Sequence, residues 1–162
     1  SLDGTALLRF FNSRITGWEV VSCPDPIAVA CMTAGSHVIA LTHYYVESSM
    51  PQTYRVAVLF HESRHTESEA GYYPHGNCPT PFTDASGAPV KSIFTGNALA
   101  GPLSCDQAYQ GAYGITVILL RNLQLYCSSC NEKVKLDADI LATDQLVRIT
   151  DAVANAKLKA DR

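Results

Sequence analysis

His61, Glu62 and His65 stand at the end of an apolar run, residues 56–60, in the order His-Glu-Ser-Arg-His. On a helix of 3.6 residues per turn, positions i and i+4 lie one above the other. Two imidazoles so placed can hold one metal ion at about 2.0–2.1 Å from each nitrogen. Glu62, between them, can reach a water on that metal and take its proton. The apolar lead-in drives the histidines to the edge of a core.

A catalytic zinc keeps three protein ligands and one open position. His75 and Asp106 are the two candidates for the third ligand. Cys78 lies three residues after His75, and Cys105 immediately precedes Asp106. A disulfide holds its two α-carbons about 5.5–6 Å apart. A Cys78–Cys105 bridge would therefore bring the His75 loop and Asp106 to one place. Asp106 would then bind the metal, or orient a ligand histidine from behind. His37 and His43 have no ligand spacing and read as surface or packing residues.

The elements that must position these groups follow from the pattern. Residues 49–52 spell a capping box with Pro51 in the first turn, and Gly71 is a natural stop. The metal helix is thus expected over 49–71. Ahead of it, 5–13 reads as a short helix and 18–21 as an extended segment, with turn chemistry at 23–26. Residues 27–33 and 37–47 read as two hairpin strands around Ala34-Gly35-Ser36. The second strand could accept an extended peptide along a free edge. Residues 79–101, rich in Gly, Pro, Ser, Thr and Asn, read as an irregular wall or lid. A second long helix is expected over 105–126, with Asp106, Tyr109, Gln110 and Tyr113 on one face. A third is expected over 137–159. The fold class is α+β: a short antiparallel hairpin or sheet packed on the metal helix, with two further long helices, all in one domain over 1–162.

Bulk properties narrow the classes. The chain has 162 residues, 47% hydrophobic and 17% charged, enough for one core. The net charge of −3 with no basic run argues against a nucleic-acid partner. No apolar stretch is long enough for a membrane span. Six cysteines suggest pairing, and near neighbours suggest Cys23–Cys31, Cys78–Cys105 and Cys127–Cys130. Disulfides imply an oxidising, extracytoplasmic compartment. The start at Ser1, with no signal-like segment, is expected of a chain whose export signal has been removed. A monomer is the simplest expectation.

His61, Glu62 and His65, with a strand before their helix and a ligand candidate after it, resemble the zincin metallopeptidases. Within that group the chain is similar to the aspzincins of the deuterolysin type, through Asp106 and Tyr109 in an Asp-x-x-Tyr spacing. Leu103-Ser104 stands where that motif has Gly-Thr, and Gln110 where it ends in Gly. The metzincin pattern is not met, because Ser68 takes its glycine position and Gly71 its third histidine. The chain is also similar to secreted bacterial proteins with a His-Glu-x-Arg-His motif. The resemblance implies a secreted zinc-dependent peptidase acting on peptides or proteins. Its metal would be Zn2+, its general base Glu62, and its oxyanion donor Tyr109 or Tyr113. A cell-wall peptide hydrolase, and a non-catalytic disulfide-rich module with a structural metal, are the alternatives.

Overall fold

The computed structural model describes residues 4–26, 28–93 and 96–160. It is a mixed α+β fold, as the pattern implies. Helix α1, Gly4–Asn12, opens the chain and is followed by strands β1, Gly17–Val20, β2, Ala30–Cys31, and β3, Val38–Leu41. Helix α2, His43–Glu47, leads into α3, Gln52–Arg64, which carries the metal motif. Strands β4, Gly76–Asn77, and β5, Leu103–Cys105, bracket the long irregular segment. Helices α4, Ala112–Tyr126, α5, Glu132–Val147, and α6, Ala152–Ala160, complete the chain.

The core is built on α3, α4 and α5. Small residues set the spacing: Ala57 of α3 and Ala138 and Ala142 of α5 close around Leu120 of α4, which is fully buried. Each large apolar side chain buried this way contributes about 1.5–3 kcal/mol. On the other side of α3, Val58 packs on Ile39 and Leu41 of β3 and on Tyr45 of α2. Phe60, the residue before His61, meets the Phe11 ring of α1 at 5.4 Å. Apolar groups thus grip α3 on both sides, leaving its last turn to present the histidines.

Several boundaries differ from the pattern-based expectation. The sheet is mixed rather than a simple hairpin: β3 pairs antiparallel with β2 and parallel with β1, in the order β1-β3-β2. The strand expected over 37–47 stops at Leu41 and turns into α2. Thr42 causes the switch, its hydroxyl donating to the Val29 carbonyl at 2.7 Å and accepting from the Tyr45 N–H at 3.3 Å. The strand expected over 27–33 shortens to two residues, and Ile27 lies outside the described residues. The capping box at 49–52 does not form. Pro51, at ψ 143°, is still extended, and the helix begins after it without a side-chain cap.

At its far end α3 stops at Arg64, and Gly71 instead ends a short 3-10 turn, Ser68–Ala70. The expected second helix begins seven residues late, at Ala112. Cys105 is tied into β5, and the Asp106 backbone is held by residues 148–150, so neither can be helical. The expected third helix is two helices. Asn131 caps α5, its side chain accepting from the Val134 N–H at 2.9 Å, and Asp151 caps α6 through the Ala154 N–H at 2.7 Å.

All three expected disulfides are present: Cys23–Cys31, Cys78–Cys105 and Cys127–Cys130. Such pairs are compatible with an extracytoplasmic location. Among the described residues no helix is long and apolar enough to cross a membrane. The 79–101 segment is more ordered than its composition suggests. Phe82, Val90 and Leu99 pack on the Cys78–Cys105 bridge, and Asp84 organises a tight turn by accepting from the Ser86 and Ala88 N–H groups.

Candidate metal centre

His61 lies in the last turn of α3, and His65 is the residue that caps its C-terminal end, at φ −73° and ψ 3°. The two rings meet edge to face with centroids 5.3 Å apart. The chain then returns through Tyr72 and Tyr73, both in the left-handed region at φ 66° and 47°, to place His75 opposite them. Bulky residues rarely adopt that conformation. Here it is held by the Tyr72 N–H donating to the Glu67 carbonyl at 2.8 Å and the Tyr73 N–H to Ala70 at 3.3 Å. The Cys78–Cys105 bridge, with Cα atoms 5.0 Å apart, and the β4–β5 pair fix the far side of the loop.

His61, His65 and His75 together form a group that could hold a metal ion, one nitrogen from each lying within 4.8 Å of the others. All three are half-buried. The hydrogen bonds of the rings show which nitrogens are free. His65 Nδ1 faces the Tyr72 carbonyl at 2.9 Å, and His75 Nδ1 faces Asp106 Oδ1 at 2.8 Å. A carbonyl only accepts, so His65 Nδ1 carries the proton and its Nε2 the lone pair. The same reasoning with a carboxylate gives His75 a free Nε2. His61 Nε2 and His75 Nε2 are 3.0 Å apart. Two nitrogens on one tetrahedral zinc, each about 2.05 Å from it, stand about 3.3 Å apart, so this pair needs little adjustment.

Asp106 is placed behind His75. One carboxylate oxygen takes the His75 Nδ1, and the other accepts the Tyr113 N–H at 2.9 Å, capping α4 from outside that helix. It is buried, and both of its oxygens are engaged. Of the two open roles, the geometry matches orientation of a ligand histidine. Gly111 makes this possible, because a Cβ there would fall 2.2 Å from Asp106 Oδ2.

The expected shared face of Asp106, Tyr109, Gln110 and Tyr113 does not exist, since residues 107–110 form a turn before α4. Tyr113 reaches the centre: its ring lies 4.8 Å from that of His61 and 4.9 Å from that of His75. Tyr109 does not. It lies partly exposed beneath the Lys157 ammonium of α6, 5.2 Å from it. His37 and His43 stay away from the centre as expected, bonded to the Arg14 carbonyl and to Glu47.

Burial governs the electrostatics. It pushes the Glu62 carboxyl up to about 8, and no hydrogen bond to that side chain is present among the described residues. His61 is held well below its usual range, by burial first and then by His75, His65 and Arg148. Burial lowers His65 as well, against the Tyr72 carbonyl bond. Neutral imidazoles are what a metal requires. A divalent cation at their centre would draw Glu62 back toward its ionised form.

Compared with protein-family models, curated proteins and solved structures, the chain finds no match in any of the three. The chemistry of this centre is therefore read from its own residues.

Two residues of the centre, Arg148 and Tyr72, carry no motif signal, and a third, Arg64, is marked only as the arginine of His-Glu-x-Arg-His. Arg148 donates to the Tyr113 hydroxyl at 3.5 Å from the α5–α6 break. Only the Asp151 cap, which the sequence does carry, could have marked that break. Arg64, inside the metal motif, reaches the Gln110 carbonyl and Glu67 and lies 4.2 Å over the Tyr73 ring. It ties the end of α3 to both loops. Tyr72 acts through its main-chain carbonyl, which any residue type would supply.

Proposed function

We propose that this protein is a secreted zinc-dependent hydrolase acting on peptide bonds, with His61, His65 and His75 as the metal ligands. The observation that carries this reading is the convergence of three ring nitrogens, two of them from the end of α3, where Glu62 is buried with no hydrogen-bond partner for its carboxyl among the described residues. Zinc suits a set of three neutral imidazoles with a fourth position open, and there it supplies an activated water and a polarised carbonyl.

The chain's own residues do the rest. Asp106 fixes the tautomer and orientation of His75, and Tyr72 does the same for His65. Glu62 takes the proton of the attacking water and returns it to the leaving amine. Tyr113, with its ring against His61 and His75, is better placed than Tyr109 to donate to the oxyanion of the tetrahedral adduct. The three disulfides support export to an oxidising compartment.

The test is Glu62→Gln. It is expected to retain about one zinc per chain while losing about 10²–10⁴-fold in hydrolysis of casein or of peptidoglycan stem peptides. Full activity in that variant would remove Glu62 from the role of base. Comparing the two substrates in wild type separates a general peptidase from a cell-wall enzyme.

A further inference from the structure

Arg148 sits in the break between α5 and α6 and is buried together with Asp144. Its Nη2 is 3.5 Å from Asp144 Oδ2, which also accepts from Gln145 Nε2 at 2.8 Å. The other Asp144 oxygen accepts the Ile93 N–H at 3.3 Å. This buried ion pair keeps the guanidinium beside Asp144. From there Arg148 Nη1 points at the Tyr113 hydroxyl oxygen, and the guanidinium carbon stands 5.3 Å from the centre of the ring.

A guanidinium has donors only. The phenol oxygen is therefore the acceptor in this pair, and its own proton points elsewhere. The ring that carries it packs against His61 and His75. We propose that Arg148 is a positioning residue: it orients the Tyr113 O–H toward the His61–His65–His75 centre and strengthens it as a donor to the oxyanion. A positive charge on the oxygen side of an O–H group makes that group a stronger donor. The role is separate from Arg148's structural one. Its main-chain carbonyl accepts the Asp106 N–H at 2.8 Å, a bond any residue type supplies.

The inference rests on the hydrolase function proposed above, so the test reads binding as well as rate. Zinc-loaded wild type, Arg148→Met, Tyr113→Phe and the double variant are compared in two ways: hydrolysis of labelled casein, and calorimetric affinity for a phosphinate peptide, whose tetrahedral oxygens mimic the adduct. Arg148→Met is expected to lower the saturating rate about 10–100-fold with little change in KM, and to weaken the phosphinate in parallel. In the Tyr113→Phe background the same change is expected to cost less than about threefold, because the two residues act as one unit. Equal losses in both backgrounds, or an unchanged rate, would overturn the proposal. Removing Arg148 alone strands a buried Asp144, so Asp144→Asn with Arg148→Met is measured beside it and is held to the same outcomes. If wild type binds zinc yet neither cleaves casein nor takes the phosphinate, the hydrolase function fails, and this inference with it.

Discussion

At the scale of single residues the centre is built from buried or half-buried groups, of which the Glu62 carboxyl has no hydrogen-bond partner among the described residues. In the metal-free protein burial raises Glu62 to about 8, from an ordinary value of 4.5. The folded chain then keeps a proton that the unfolded chain has already released. The stability due to this group therefore falls as pH rises from about 4.5 to about 8, and is level beyond. Metal-free Glu62→Gln escapes that loss. It is expected to melt several degrees above metal-free wild type at pH 8.5 and at the same temperature at pH 4, as followed by circular dichroism. His61 and His65, shifted down, work in the opposite sense, destabilising both proteins alike below about pH 6.5. Asp106 has two jobs, and its loss is expected to show in two measurements. Asp106→Ala should weaken zinc about 10–100-fold in a competition titration, through His75. It should also cost about 0.5–2 kcal/mol of stability in urea, through the lost cap on α4.

At the scale of elements the decisive feature is the join between the His75 loop and Asp106. Cys78 and Cys105 are both fully enclosed, and their bridge closes the segment between β4 and β5. Replacing both with serine is expected to cost about 2–4 kcal/mol. Zinc affinity should fall with it, because His75 and Asp106 lose their common anchor. Zinc binding unchanged in that variant would mean the loop is held by other contacts. This join was legible in the sequence, since two cysteines flank the two candidate ligands. The ends of the helices were not. Asp106-x-x-Tyr109 has helical spacing, yet the Asp106 main chain is claimed by residues 148–150, some forty positions away. Long-range pairing of that kind leaves no local pattern. Likewise Gly71 signalled a stop, but for a 3-10 turn rather than for α3. The α5–α6 break was hidden because the apolar periodicity runs through it.

At the scale of the molecule the centre lies beside the core rather than within it. The clusters around Leu120, Ile39 and Phe60 are closed by apolar side chains, and Tyr113, from the cluster with Val117 and Leu146, makes the core's contact with His61 and His75. Chelation is thus expected to leave a folded, cooperatively melting protein with far-UV circular dichroism close to that of the zinc form. A domain whose metal is only a structural staple would unfold instead. The α+β class was readable from alternating and helical periodicities. The parallel β1–β3 pairing was not, because a four-residue strand carries no mark of its partner.

The most direct test of the centre is anomalous scattering at the zinc absorption edge from a crystal grown with zinc. One peak per chain is expected, about 2.0–2.1 Å from a ring nitrogen of each of His61, His65 and His75, with Asp106 outside bonding distance. The absence of a peak at these three rings, or a metal held by other residues, would contradict the account.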